Sequence, residues 1–262
     1  MEKGDLLTVS RDDLGTKYPE IGRGSEGCIF NYNDKYAIKT FTLYHGLPEI
    51  YANRLKRKIA KLQLMMNVSE EQCTLPYGFI SYGDRIEGYY TRLVNGKKGR
   101  KDFTYLEELQ NKRKVIEYLI KADAVLKRLH EKKFIVGDVK TDNIMIDKNG
   151  EPVFVDVDNY MFGPYGFDLI PDRAGCFYTC YGNTTSYKDN DIFVYTLMAL
   201  NILTGLDQFG CFATKEDIQD GLSKLCVTRE VRNDLQQILS DSLDKPYVGP
   251  VLKKMQNGGI KL

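Results

Sequence analysis

Five polar residues flank two short apolar runs in segment 137–159, which has the sequence GDVKTDNIMIDKNGEPVFVDVDN. Asp138, Lys140 and Asn143 come just before the first run, and Asp156 and Asp158 come at the end of the second. Carboxylate and amide oxygens are the ligands that Mg²⁺ prefers, often together with phosphate oxygens. The pattern therefore predicts either a metal site or solvated turn residues, and the choice depends on whether the rest of the chain can bind a phosphate.

A glycine-rich segment near the start of the chain supplies a candidate phosphate loop. Gly22, Gly24 and Gly27 fit the pattern GxGxxG, and Lys39 follows on the next predicted strand in the sequence AIK. The glycines lie inside a predicted hairpin rather than at the start of a helix, which argues against a dinucleotide-binding fold. Lys39 is placed to reach phosphates held under this loop, and an ordinary glycine-rich turn is the alternative.

The elements around this loop are predicted to be strands with one helix. Residues 21–32 and 35–41 read as a strand pair around the turn Asn33-Asp34, and residues 74–94 as a second pair around Tyr82-Gly83-Asp84. Between the pairs, Pro48 to Met66 predicts a helix, because apolar residues recur there at helical spacing.

Beyond residue 94 the pattern becomes helical. Residues 95–102, NGKKGRKD, are almost without apolar side chains and predict a boundary. Lys112 to His130 predicts an amphipathic helix, and Asp191 to Thr204 a helix that is apolar nearly all round and therefore central to its lobe. The runs IMID and PVFVD between them predict two short strands, and shorter helices are predicted to follow Thr204.

The composition limits the classes of partner. The chain has 262 residues and a formal net charge of +1, which gives no general argument for a nucleic acid or a membrane surface. No apolar run approaches the length of a membrane-spanning helix. The first residues lack an apolar leader, so the six cysteines are predicted to be reduced thiols in a cytoplasmic protein.

Several of these segments, taken in order, resemble the motifs of the protein kinases. Besides the glycine loop, AIK at 37–39 resembles the strand that carries the phosphate lysine, and GDVKTDN at 137–143 resembles the catalytic loop. DVD at 156–158 stands where the metal-binding DFG motif belongs. The helix that starts at Asp191 is similar to the central helix of the second kinase lobe, whose aspartate braces the catalytic loop.

The resemblance covers nearly the whole chain and implies a fold. It implies an α+β, bilobal protein kinase-like architecture, with a small β-rich N-lobe over residues 1–94 and a mainly helical C-lobe over residues 95–262. It also implies ATP and Mg²⁺ as cofactors and a hydroxyl group as phosphate acceptor.

The same resemblance implies a role for each matched residue. Lys39 would hold the α- and β-phosphates, Asp156 would ligate Mg²⁺, and Asn143 would ligate a second ion. Asp138 would accept or orient the proton of the attacking hydroxyl. Lys140 matches a lysine of the serine/threonine protein kinases that contacts the transferred phosphate, which favours a protein acceptor.

In this family Lys39 should pair with a carboxylate on the following helix. Glu49 is the only carboxylate between Lys39 and Glu70, so it is the candidate partner. Its place in the first helical turn equally suits a residue that complements the helix dipole. The basic residues of this helix are predicted to form a solvated face, with a docking surface as the alternative: Arg54, Lys56, Arg57, Lys58 and Lys61.

The resemblance also implies an apolar pocket for adenine. Its roof would be formed by Ile21, Ile29 and Ala37, and its floor by Met145. Residues 91–94, with Arg92 and Val94 among them, would form the hinge that hydrogen-bonds the base through the backbone. Each of these residues is equally acceptable as ordinary core.

Four positions depart from the family pattern. Val136 and Val157 replace the usual histidine and phenylalanine, which predicts a smaller aliphatic contact between them. Gly137 replaces the arginine that receives an activation-loop phosphate, so activity is predicted not to depend on phosphorylation of that loop. Asp158 replaces the DFG glycine and is predicted to add a carboxylate near the metal. No APE motif follows.

These motifs together predict a Mg-ATP-dependent phosphotransferase, specifically a divergent serine/threonine protein kinase. Two alternatives stay open: a small-molecule kinase that acts on antibiotics or sugars, and a nucleotide-binding pseudokinase scaffold without turnover. The intact set of Lys39, Asp138, Asn143 and Asp156 argues against the scaffold. The oligomeric state has no signature in the sequence.

Overall fold

The computed structural model describes residues 3–24, 27–41, 49–94, 112–167, 180–181, 186–210 and 213–259, with the side chains of residues 49–51 and 259 outside that description. The described residues form ten strands: β1 (Leu6–Thr8), β2 (Glu20–Gly24), β3 (Gly27–Tyr32), β4 (Tyr36–Thr40), β5 (Pro76–Tyr82), β6 (Arg85–Arg92), β7 (Phe134–Ile135), β8 (Ile144–Ile146), β9 (Pro152–Phe154) and β10 (Met161–Phe162). They also form six α-helices: α1 (Glu49–Met65), α2 (Lys112–Glu131), α3 (Tyr187–Thr204), α4 (Lys215–Lys224), α5 (Arg229–Ile238) and α6 (Gly249–Lys254). The predicted boundary at 95–102 lies outside the described residues.

The first six strands form one sheet in the order β1-β5-β6-β4-β3-β2. Strand β1 runs parallel to β5, and the other neighbours are antiparallel. Both predicted turns join antiparallel strands, but the predicted first strand over 21–32 is in fact two paired strands, β2 and β3. Asn33 and Asp34 take positive φ values of 56° and 54°, which is the geometry of the tight turn that suits the twist of a hairpin.

The two faces of this sheet serve different cores because side chains alternate along each strand. Ile38 and Tyr90 belong to a small cluster on the outer face, together with Val9 and Phe30. Tyr89 belongs instead to the main core, which continues into the helices. Lys39 is the register partner of Tyr89, so the lysine side chain lies on the inner face of the sheet.

The helices follow the predicted pattern closely. Helix α1 spans Glu49–Met65, against the predicted 48–66, and α2 spans Lys112–Glu131. Helix α3 begins one turn before Asp191, because the Ser186 hydroxyl accepts a hydrogen bond from the Asp189 N–H and caps it. It is buried on nearly every side. Among the described residues, no helix combines the length and the apolar character that crossing a membrane requires.

Backbone pairing joins the sheet to the helical part of the chain. The Phe154 N–H of β9 donates to the Gln72 carbonyl at 2.8 Å, and the Thr74 N–H donates back to the Phe154 carbonyl at 2.9 Å. Residue 76 then begins β5, so the end of β9 is fixed beside the sheet. The result is a mixed α/β structure, with an N-terminal six-stranded sheet and several C-terminal helices, and it is compatible with a bilobal fold.

A buried carboxylate connects α2 to the last helix. Asp123 accepts hydrogen bonds from the backbone N–H groups of Val248, at 3.3 Å, and Gly249, at 2.9 Å, at the start of α6. Burial of the side chain raises the pKa of Asp123 to about 6, although these two hydrogen bonds oppose the change. The folded protein therefore favours the protonated form of Asp123 relative to the unfolded chain.

This raised pKa predicts a pH dependence of stability. The contribution of Asp123 is fully present below about pH 4 and is lost as pH rises through about 6, which amounts to roughly 3 kcal/mol at most. We expect Asp123→Asn to remove that part of the pH dependence. Urea denaturation of both proteins between pH 4 and pH 7.5 tests this, and parallel curves of unfolding free energy against pH would contradict it.

Candidate functional site

The segment that carries Asp138 is held in place by Asp191 of α3. The Asp191 carboxylate is fully buried and accepts hydrogen bonds from the N–H groups of Val136 and Gly137, each at 2.8 Å. It also lies 3.0 Å from His130 Nε2 at the end of α2. Asp191 thus braces the loop as the sequence predicted. The contact of His130 with Asp191 was not predicted. The other ring nitrogen of His130 lies 2.7 Å from the Tyr247 hydroxyl.

Position 137 requires a glycine for two reasons, its backbone conformation and the space around it. Its φ is +73°, in the region that residues with a Cβ adopt only at a cost. A Cβ added there would lie 2.3 Å from the Phe167 ring. The structure therefore has no room for the arginine that stands here in the resembling family.

Gly137→Ala is expected to lower the free energy of unfolding by about 2–5 kcal/mol, the sum of a left-handed backbone cost and an overpacking cost. Gly150 is a matched control, because its φ is +79° and no atom lies within 4 Å of an added Cβ. Gly150→Ala should lose only about 1–2 kcal/mol. Equal losses in urea denaturation would show that the Phe167 contact contributes nothing.

Asp138, Lys140 and Asn143 lie together on the segment that Asp191 braces. The Lys140 ammonium contacts Asp138 Oδ2, and the Asn143 side-chain amide donates to the same oxygen and to the Asp138 carbonyl, each at 3.0 Å. These bonds use the Nδ2 atom of Asn143, so its Oδ1 is the atom suited to a metal ion. The Asp138 side chain remains about one-fifth exposed.

The β8–β9 hairpin sets Asn143 close to Asp156. Ile144 pairs with Phe154 in this hairpin, and the Val155 N–H donates to the Asn143 carbonyl at 2.9 Å. Asn143 thus comes directly before β8, and Asp156 comes two residues after β9, at the same end of the hairpin. This is the arrangement that the spacing of the motifs predicted.

Asp156 has a strained backbone and a side chain that is partly exposed to solvent. Its φ of 64° and ψ of 42° lie in the left-handed region, and 41% of its side chain is exposed. A non-glycine residue in this region costs roughly 1–2 kcal/mol, and such strain is concentrated at functional sites. The conformation brings the carboxylate to the Lys39 ammonium, which donates to Asp156 Oδ1.

Asp158 contacts the ammonium group of the same lysine, Lys39, from the protein interior. The Lys39 ammonium donates to Asp158 Oδ1 at 2.6 Å, and the Tyr89 hydroxyl donates to that oxygen at 3.1 Å. Lys58 of α1 donates to Asp158 Oδ2 at 2.7 Å. The sequence suggested an added carboxylate near the metal, whereas the structure places Asp158 fully buried and engaged through both oxygens by two lysines.

The prediction that the basic residues of α1 form a solvated face is wrong for two of them. Lys58 and Lys61 are fully buried, and only Lys56 and Arg57 are exposed. The charge of Lys58 is compensated by Asp158, which lies 100 residues further along the chain. No local pattern in α1 signals such a partner.

The charges in this cluster stabilise one another against the cost of burial. Burial alone would lower the pKa of Lys39, but the charges of Asp158 and Asp156 outweigh it and hold that pKa well above its usual value. Burial would likewise raise the pKa of Asp158, yet Lys39 and Lys58 hold it below its usual value. Burial raises the pKa of Tyr89 strongly, so its hydroxyl is a neutral donor. Lys39 and Asp158 are therefore charged at neutral pH.

The residues predicted to bind the nucleotide are only partly described. Gly22 and Gly24 lie on β2 and Gly27 begins β3, while the loop tip at 25–26 lies outside the described residues. A Cβ at Gly27 would lie 1.8 Å from the Thr40 carbonyl oxygen, so glycine is required there. Glu49 begins α1, but its side chain is not described, and its pairing with Lys39 stays a prediction.

The predicted adenine pocket has a mixed character. Ile21 is exposed, whereas the other side chains named for the pocket and the hinge are half-buried: Ile29, Ala37, Arg92, Val94 and Met145. The Arg92 guanidinium donates to the Glu71 carbonyl and lines a separate cavity of about 730 Å³ with Gln72 and Cys73. Arg92 could therefore hydrogen-bond an adenine base only through its backbone.

The chemistry of the donor set fits Mg²⁺ together with a phosphate. Among the described residues no three His, Cys, Asp or Glu side chains are gathered into a metal cluster. Mg²⁺ commonly takes only one or two protein oxygens beside waters and phosphate oxygens, and Asp156 with Asn143 suits that coordination. Lys39 adds a cation beside this pair.

No model of a known protein family matches this chain, and no curated protein matches it either. The side chains gathered around Lys39 and Asp138 therefore carry the functional interpretation. Of the predicted catalytic and metal-binding residues, the structure joins Lys39 to Asp156 and groups Asp138 with Lys140 and Asn143.

Proposed function

We propose that this chain is a Mg-ATP-dependent phosphotransferase with a bilobal, protein kinase-like fold, and that it acts on serine or threonine hydroxyls of proteins. The observation that carries the proposal is the contact between Lys39 of the sheet and Asp156 after β9, residues 117 positions apart. A buried lysine beside a half-exposed carboxylate is the pairing that a metal-bound triphosphate requires.

Each side chain has a defined part in this reaction. Lys39 neutralises charge on the phosphates, and Asp156 and Asn143 would hold Mg²⁺, which when bound offsets the charge that develops on the phosphate oxygens. Asp138 orients the acceptor hydroxyl and takes its proton as the oxygen bonds to the γ-phosphorus and the bond to ADP breaks. Lys140, whose ammonium contacts the Asp138 carboxylate, would contact the transferred phosphate.

The proposal is tested by incubating the purified protein with γ-labelled ATP and Mg²⁺. We expect label on serine or threonine of the protein itself or of a generic protein substrate, and none in the presence of EDTA. Asp138→Asn is the matched control and should reduce labelling by about 10²–10⁴-fold.

The other outcomes of this assay separate the alternatives. Label on an aminoglycoside or a sugar, but not on protein, would replace the protein acceptor with a small molecule. No transfer to any of these acceptors, with ATP still raising the melting temperature, would overturn the proposal in favour of a nucleotide-binding scaffold.

A further inference from the structure

One carboxylate on the interior side of the site is shared between two lysines from different elements. Asp158 Oδ1 accepts from Lys39 of β4 at 2.6 Å, and Asp158 Oδ2 accepts from Lys58 of α1 at 2.7 Å. Lys58 and Asp158 are both fully buried, and the Tyr89 hydroxyl donates to the same carboxylate at 3.1 Å. The set thus ties the sheet, α1 and the turn after β9 to a single anion.

This arrangement is costly if it serves only to hold the fold together. Removing two charged groups from water carries a penalty of several kcal/mol for each, and an apolar pair of similar volume is often as stable. The position of Lys39 between Asp158 and Asp156 suggests a functional reason for these buried charges. Its ammonium has three donors, of which Asp158 takes one on the buried side and Asp156 takes one on the open side.

We infer that Asp158 is the buried anion that orients Lys39 toward the triphosphate, and that Lys58 is a positioning residue that fixes Asp158. The inference rests on the proposed function and extends it to α1. Through Lys58, the position of α1 determines where the Lys39 ammonium lies. The inference gives Lys39 a support from α1 through Asp158 and Lys58, while the predicted pairing of Lys39 with Glu49 stays a prediction.

Three variants test the inference by steady-state kinetics with varied ATP. Lys58→Met should lower kcat by about 10²-fold, as small displacements of a positioning group do, while circular dichroism shows a folded protein. Lys58→Arg should restore most of kcat, because a guanidinium can also donate to Asp158. Gln63→Met is the control, since Gln63 is exposed on the same helix and should leave kcat unchanged.

A double variant separates positioning from folding. Lys58→Met combined with Asp158→Asn removes both charges and leaves no unpaired carboxylate, so it should fold even where Lys58→Met alone does not. The inference predicts that its kcat stays as low as that of Lys58→Met, because Lys39 has lost its orienting anion.

The outcomes distinguish this inference from the proposed function. Wild-type kcat in the folded double variant would overturn the inference alone, since the pair would then be merely structural. A wild-type protein that neither binds ATP nor transfers phosphate would overturn the proposed function. A low kcat in the double variant, with normal transfer by the wild type and by Gln63→Met, would support both.

Discussion

Asp156→Asn is expected to reduce phosphoryl transfer by about 10³-fold or more, because the variant lacks the carboxylate that would hold Mg²⁺ against the phosphates. The fold should remain, since 41% of the Asp156 side chain is exposed and asparagine keeps its shape. The measurement is kcat/KM for ATP together with the melting temperature. Asparagine also tolerates the left-handed backbone that this position requires.

Asp142→Asn provides the control for this prediction. Asp142 lies directly before Asn143 but is exposed, so its variant should keep nearly wild-type transfer. Near-normal kcat/KM in Asp156→Asn would contradict the metal assignment. An equal loss of kcat/KM in both variants would indicate that removing any negative charge from this region lowers transfer, whatever its position.

Asp158→Ala is expected to destabilise the protein by about 3–5 kcal/mol, because it leaves the buried ammonium groups of Lys39 and Lys58 without a shared carboxylate. A loss of this size is a large part of the stability of an ordinary domain. Urea denaturation at pH 7 measures the change in the free energy of unfolding.

Asp84→Ala is the reference for this second prediction. Asp84 is exposed in the turn between β5 and β6, where substitution should change stability by no more than about 0.5 kcal/mol. If Asp158→Ala were as stable as Asp84→Ala, the lysines would need no buried counter-charge, and the electrostatic account of the site would be wrong.

Much of the fold is predictable from local sequence because local patterns determine it. The Asn33-Asp34 turn fixes the β3–β4 hairpin, and strand alternation then places Lys39 on the same face as Tyr89. The 3.6-residue period likewise predicts α2, and the apolar run after Asp191 predicts the core of α3.

The parts of the site that were missed depend on contacts between distant residues. Lys58 was predicted to be solvated because lysines rarely lie fully buried without a partner. Its partner Asp158 is 100 residues away, and His130 and Asp191 are 61 residues apart, so no window of local sequence contains either pair. Lys58 of α1 meets Asp158 in the turn after β9, and His130 of α2 meets Asp191 of α3, only when the chain is folded.

The most direct test of the central claim is a calorimetric titration of ATP, with Mg²⁺ and with EDTA, into the wild type and Asp156→Asn. If Lys39 and Asp156 hold one metal-bound triphosphate, Mg²⁺ should tighten ATP binding to the wild type by at least about tenfold, or ~1.4 kcal/mol, and should tighten binding to the variant far less. In EDTA the variant should bind ATP at least as strongly as the wild type, because a negative charge near the phosphates is gone. The same Mg²⁺ effect in both proteins would contradict the account.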